Sequence, residues 1–250
     1  MSLSPYMEVY GLSDQGPVRS KNEDVFKIIH EHNLLSIADG MGGHKAGEIA
    51  ALTCVNHVCS LLTKHLLLKD SSKNIDHIIY HLNLAIQEAN FKVFSMSQAD
   101  ERLKGMGTTL CMLKFLENTA IFAHVGDSRI YHFTDDKLIT LTKDHSLLNK
   151  LKDQNKLDEK ESSNFKNIIT KAIGTASSVE PSIDTTDFKN GDYFIMSTDG
   201  LTDYVNNNEI HQIIQLHKSP KEIAENLLKK AQEKSSSDNI TVIVVKINNE

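Results

Sequence analysis

The chain has 250 residues and a formal net charge of −6, which argues against a sequence-independent grip on a nucleic-acid backbone. Apolar residues make up 40%, enough for a substantial core, and only four prolines and twelve glycines exclude fibrous and disordered classes. No charged-then-apolar leader opens the chain, no apolar run approaches the roughly 20 residues of a membrane span, and three cysteines suit a reducing compartment, so the expectation is a cytoplasmic protein with no membrane insertion.

In chain order, "YMEVYGLSD" alternates like a strand. "VFKII" and "LLSIA" follow as two strands joined by a short loop at His30-Glu31-His32-Asn33. Residues 44 to about 67 predict a mostly apolar helix. Residues 74 to about 97 predict a second one, with Ile75, Ile78, Ile79, Leu82, Ala85, Ile86, Ala89 and Val93 on one face. Cys54, His57 and Cys59 lie close in sequence, but on a helix the two thiols point apart, and they read as core residues rather than zinc ligands.

The middle predicts β structure: "TTLCMLKFL", "TAIFAHV", "IYHFT" and "KLITL", with turns at Glu117-Asn118 and Asp135-Asp136. A short helix from about His145 and a lysine-rich mobile surface segment to about Lys171 come next. "DYFIMSTDG" predicts a strand, residues 207–216 and 220–234 predict helices, and "NITVIVVKI" predicts an interior closing strand. With no repeat and no long linker, residues 1–250 are expected to form one α+β domain of antiparallel sheet and helix layers.

The aspartates then stand out. A hairpin centred between Glu31 and His32 puts Asp24 opposite Asp39, and directly opposed like charges destabilise a sheet unless something positive lies between them. "YFIMSTDG" ends on Asp199 as "LLSIADG" ends on Asp39, Asp238 precedes the closing strand, and "HVGDSR" sets Asp127 at another strand end. In antiparallel sheets such ends and beginnings share an edge, and Asp203 can lean over it. Any one of these is explained by an ordinary Asp-Gly turn or a cap, but five at matching ends point to a hard cation held by oxygen. The D-x-D-x-D-G calcium loop is absent, so magnesium or manganese is favoured. Gly40, lacking a Cβ, lets its backbone approach closely and offer its carbonyl to a metal. No Walker-type loop or G-x-G-x-x-G string competes.

Eight strings occur in a telling order: "SDQGPVRSKNED", "ADGMGGHKAGE", "GMGTTL", "HVGDSR", "DHS", "ITKAIG", "STDGLTD" and "SDNITVIVV". In that order, from about residue 7 to 247, the chain resembles the metal-dependent protein phosphatases, the type 2C serine/threonine (PPM) class, in their compact bacterial form. The resemblance implies an α-β-β-α sandwich of two antiparallel sheets flanked by helical pairs, with a binuclear Mn2+ or Mg2+ centre in a cleft at one sheet edge. By motif position it implies that Asp39 bridges both metals, that the Gly40 carbonyl touches one, and that Asp199 and Asp238 hold the other. It assigns Glu23 and Asp24 to the centre directly or through water. Asp127 matches the ligand of a weaker third metal, with Asp203 nearby, and Arg19 matches a phosphate-binding arginine.

The chemistry this implies is hydrolysis of phosphoserine and phosphothreonine on proteins. Water between the two metals attacks phosphorus in line, Arg19 and the metals stabilise the charge, and no phosphoenzyme forms. The proton for the leaving oxygen comes from His44 or from water at the metals, since Met41 stands where some eukaryotic relatives have histidine. Residues 145–175 match a variable flap that would select substrates. The hairpin at Glu117-Asn118 sets Thr108 opposite Asp127, where its hydroxyl would hold the carboxylate. Expected partners are phosphorylated proteins, including a cognate serine/threonine kinase, with no nucleic acid, and the enzyme is expected to be a monomer. Competing readings are a phosphatase dedicated to an anti-sigma-type regulator, and an inactive phosphoprotein-binding scaffold, which would have lost a bridging acid.

Overall fold

Alternation along the strands sorts the apolar residues into three core layers. The computed structural model describes residues 6–42, 46–66, 74–154 and 168–248. One sheet runs β1 (Tyr6–Asp14), β11 (Ile240–Asn248), β10 (Tyr193–Ser197), β7 (Arg129–Thr134) and β8 (Lys137–Thr140), in that spatial order. The other runs β2 (Asp24–Ile29), β3 (Leu34–Met41), β5 (Leu110–Leu116), β6 (Thr119–Val125) and β9 (Ser182–Asp187), with the two-residue β4 (Gly107–Thr108) added to the end of β3. Neighbouring strands are antiparallel throughout.

On β3, Leu35 and Ile37 face the other sheet while Leu34 and Ala38 face helices; on β11, Ile243, Val245 and Ile247 face inward while Val242 and Val244 face helices. The first outer layer is α1 (Ala46–Leu66) against α2 (Ile75–Ala99), the second α5 (Asn207–Leu216) and α6 (Pro220–Glu233). The result is the expected α-β-β-α sandwich. Both α5 and α6 open on capping boxes, Asn206 with Glu209 and Ser219 with Glu222, which satisfy free N–H groups of the first turn.

Turns fall where the sequence places them. Asn33, Glu117, Asp135 and Asp136 all have positive φ, the last two in the pattern that matches the twist of a two-residue hairpin. Two expectations are corrected. β9 is unheralded, because "SIDTTD" carries too few apolar residues to read as a strand; it is an edge strand with one partner. α1 is long and apolar enough by length and composition to cross a membrane, contrary to the expectation that no run approaches that size. Its apolar side, including Ala50, Cys54, Val58 and Leu62, is buried against α2 and the β2–β3 sheet, as in the core helix of a sandwich. Short α3 (Leu147–Asp153) begins as expected after the Ser146 cap, whereas the heart of the expected flap, 155–167, lies outside the described residues.

Candidate metal centre

One end of the sandwich gathers the start of β2, the end of β3, the end of β10, the start of β11 and the turn between β6 and β7. The β2–β3 register pairs Asp24 with Asp39, as the hairpin centre requires. β10 stops at Ser197, and Asp199 opens the single helical turn α4 (Asp199–Thr202), so this Asp-Gly turns the chain into a helix rather than ending a strand. Asp203 follows on the same turn, its N–H donating to the Asp199 carbonyl at 2.8 Å.

The two sheets are tied across this edge by side chains. Asp24 is 8% exposed, and its Oδ2 accepts from Thr198 at 2.9 Å, just past the end of β10, and from Thr241 at 2.7 Å on β11 of the opposite sheet. Asn239 accepts the Glu23 N–H at 2.9 Å and donates to the carbonyls of Gln15 and Lys21 at 2.8 and 2.7 Å. It thereby pins the loop carrying Arg19 to the start of β11. The Thr109 hydroxyl accepts the Asp39 N–H at 2.9 Å and shares a hydrogen bond with the Ser128 hydroxyl at 2.7 Å.

Burial and mutual repulsion hold the acids back from ionising. Burial pushes Asp24 up to about 7 despite its two hydroxyl donors, and Asp199 and Asp238 add to the rise. Burial, with Asp24 and Asp199 beside it, holds Asp39 well above the usual carboxylate range; its carboxyl shares a hydrogen bond with Asp199. Asp199 is pushed to about 6 by burial and then by Asp238. Asp127 reaches about 7 through burial, Asp199 and Asp144. Glu23 is raised by burial, with Glu48 and Asp238 adding to the rise and Arg19 and Lys21 opposing it.

These residues fit a divalent cation by their chemistry. Asp24 Oδ1 and Asp199 Oδ1 are buried oxygens without a hydrogen-bond partner. The donors are all hard oxygen, and the mutual repulsion is what a cation relieves. A Cβ on Gly40 would stand 2.2 Å from the Gly47 carbonyl oxygen and 2.7 Å from that of Glu23, so only glycine admits the start of α1 here. Among the described residues no three His, Cys, Asp or Glu side chains form a ready-made metal cage, so the fit rests on charge and orphaned oxygens.

Arg19 lies beside this centre, its Nη2 donating to Asp238 Oδ2 at 2.6 Å and its Nε to the Ser237 carbonyl at 3.3 Å. It lines a cavity of about 350 Å³ with Ser20, Lys21, Glu23, Gly42 and Asn239. His44 lies outside the described residues. Thr108 is a correction: β6 ends at Val125, the last residue paired across the hairpin, so Thr108 runs past the ladder and pairs with Gly40 and Ile173. Its hydroxyl donates to the Asp39 carbonyl at 2.8 Å, so it supports Asp39 and not Asp127. Cys54 and Cys59 are free, buried core thiols, as expected, and Cys111 is free and buried as well; burial pushes Cys59 up to about 11.

Sequence reasoning missed Thr198, Thr241, Asn239 and Glu48 as members of this region, and took Thr109 only as structural. All of them stand inside the strings already singled out, and Thr198 and Asn239 each adjoin an aspartate, which was the available signal.

A family model described as "Protein phosphatase 2C" matches residues 18–237. Protein phosphatase PhpP of Streptococcus pneumoniae is 35% identical over 251 residues, covering 98% of this chain and 99% of its own. Among solved structures, the serine/threonine phosphatase Stp1 from Staphylococcus aureus superposes with a TM-score of 0.89 at 32% identity, covering 100% of this chain and 98% of that one. The catalytic domain of the serine/threonine protein phosphatase PstP, solved in complex with two manganese ions, superposes with a TM-score of 0.83 at 30% identity, covering 97% and 99%.

Proposed function

The chain belongs to the protein phosphatase 2C family and is a metal-dependent serine/threonine phosphatase acting on phosphorylated proteins, and on that premise we propose the work of its individual residues. Asp39, Asp199 and Asp238 are the principal metal-holding side chains, with the Gly40 carbonyl, and with Glu23 and Asp24 acting directly or through water. Asp127 holds a weaker additional site with Asp203 beside it. The ions are two, Mn2+ or Mg2+, as in the manganese complex of PstP. When bound, they supply Lewis acidity toward the phosphoryl oxygens and a water acidified into a nucleophile at neutral pH.

The chain's own residues do the rest. Arg19 turns its guanidinium fork to the phosphoryl oxygens, a geometry that suits phosphate better than an ammonium does. Lys21, lining the same cavity, adds a second positive charge at its mouth. Asn239 holds the loop bearing both. Thr108 and Thr109 fix the backbone of Asp39 on both sides, so its carboxylate keeps one direction as charge changes around it. The proton for the leaving oxygen comes from His44 or from water in the centre. We read the chain as one catalytic domain of a cytoplasmic monomer, with its cognate kinase among its substrates.

The convergence of acids at one sandwich end, with buried, orphaned oxygens on Asp24 and Asp199, carries this reading. It is tested by following phosphopeptide hydrolysis with Mn2+ and with chelator for the natural chain and for Arg19→Ala. Arg19→Ala should raise KM and lower kcat/KM on phosphoserine peptides while leaving the metal requirement in place. An unchanged kcat/KM would remove Arg19 from the phosphate site.

A further inference from the structure

The turn that carries Asp127 is built on Gly126, whose φ of +105° is one that residues with a side chain rarely adopt. Glycine permits this turn but does nothing to hold it, because its backbone rotates with little steric hindrance. On one side the turn leans on Thr109, where a Cβ added to Gly126 would come within 2.8 Å of the Thr109 Cβ. On the other side stands His145, a residue of the "DHS" string to which the assigned chemistry gives no task.

His145 grips both peptide units that flank Gly126. Its main-chain N–H donates to the Gly126 carbonyl at 2.9 Å, and its ring Nδ1 is 3.2 Å from the Gly126 nitrogen. A backbone N–H can only donate, so Nδ1 accepts and the ring proton is on Nε2. Nε2 then donates to Ser182 Oγ on β9 at 3.0 Å. This assignment also disposes of a rival reading, in which Ser182 and His145 form a nucleophile and its base: the nitrogen facing the serine already carries the proton. The ring is stacked on His124, with centroids 4.5 Å apart and planes 15° apart, and the His145 carbonyl accepts from Thr170 at 2.7 Å.

We propose that His145 is a positioning residue for the phosphatase reaction: it clamps Gly126 through a ring acceptor and a main-chain donor, and so fixes the direction in which Asp127 faces the metal centre. The inference rests on the reading of Asp127 as part of that centre. His145 touches neither substrate nor metal; it acts only through the Gly126–Asp127 turn.

Two substitutions separate this role from simple packing. In His145→Asn the amide oxygen takes the place of Nδ1 and keeps the Gly126 contact. In His145→Gln a polar atom takes the place of Nε2 and keeps the Ser182 contact instead. Both lose the stack on His124, so a packing role predicts equal damage. The full chain would be assayed on p-nitrophenyl phosphate across a Mn2+ titration, with Mn2+ binding measured by calorimetry and Tm measured in chelator. His145→Gln should lower kcat/KM and weaken Mn2+ binding by about 10–100-fold, the usual cost of losing a support behind a ligand. His145→Asn should keep most of both, and the two variants should melt alike. In an Asp127→Ala background His145→Gln should add no further loss. Equal losses for Asn and Gln that track Tm would overturn the proposal, as would a further loss in that background. If Asp127→Ala is impaired while His145→Gln is intact, the clamp alone fails; if Asp127→Ala is itself unimpaired, the reading of Asp127 fails and takes the clamp with it.

Discussion

Strand β10 has an aspartate beyond each end, Asp192 buried and Asp199 half-buried, and the two are treated in opposite ways. Asp192, just before the strand, is 2% exposed and closed by the chain's own donors. His132 Nε2 donates to it at 2.8 Å and the Lys189 N–H at 3.0 Å, while the His132 ring stacks on Phe194 with centroids 4.3 Å apart. Asp199, just after the strand, has three other acids raising or sharing its proton affinity and one oxygen with no partner. Burial of a carboxylate therefore marks no site by itself. What marks the functional end is that the fold brings acids together and withholds the donors that would satisfy them.

The contrast can be broken at either end. The largest effect should come from Asp39→Asn, which removes the acid at the middle of the centre: activity should fall by about 10³-fold, or ~4 kcal/mol of transition-state stabilisation. The same variant should raise Tm in chelator, because it removes a repelling charge. A lower Tm in chelator would mean that the acids are structural after all. At the other end Asp192→Ala should do the reverse. It leaves His132 buried without a partner, at a cost of about 2–3 kcal/mol in urea unfolding, while kcat per folded molecule stays unchanged. A loss of kcat there would join the two ends that we separate.

The pH dependence sharpens the comparison further. A carboxyl raised to about 7, as Asp24 is, or to about 6, as Asp199 is, binds its proton more tightly folded than unfolded. Its contribution to stability is complete below the ordinary carboxylate pKa and is lost as pH rises through the folded value. In chelator, stability should fall between about pH 4 and pH 7, by at most ~1.4 kcal/mol per pH unit for each such group. Excess Mn2+ should flatten or reverse that fall. Urea midpoints that rise with pH in chelator would contradict the assignment. The smallest effect is expected from Thr241→Val, which removes one of the two hydroxyl donors to Asp24 Oδ2. It should cost about 1 kcal/mol in Mn2+-loaded protein and less in chelator near pH 5, where Asp24 is protonated; equal costs at both would show that the bond ignores its charge.

Much of the centre was legible without coordinates, and the reason is local. A hairpin with a short loop has its register set by the loop, so the facing of Asp24 and Asp39 follows from counting back from His30–His32. Asp199 and Asp238 were legible because each stands at the end of an apolar run next to glycine or asparagine. The same counting failed for Thr108. It assumed that the β5–β6 ladder continued past Gly126, whereas the positive φ there ends it and Thr108 takes a new partner on β3. β9 was missed because an edge strand with few buried residues leaves little periodicity to read.

The chain's residues alone determine the interior strands, their alternation, the helices α5 and α6, and which carboxylates stand near strand ends, because each of these depends on neighbours within a few positions. Which hydroxyls and amides close around those carboxylates was decided by the packing of one sheet on the other. Thr198 and Thr241 reach Asp24 from more than 170 residues away, and His145 reaches Gly126 across 19. Contacts of that span are made by whole layers docking, and no short window of sequence carries their distance.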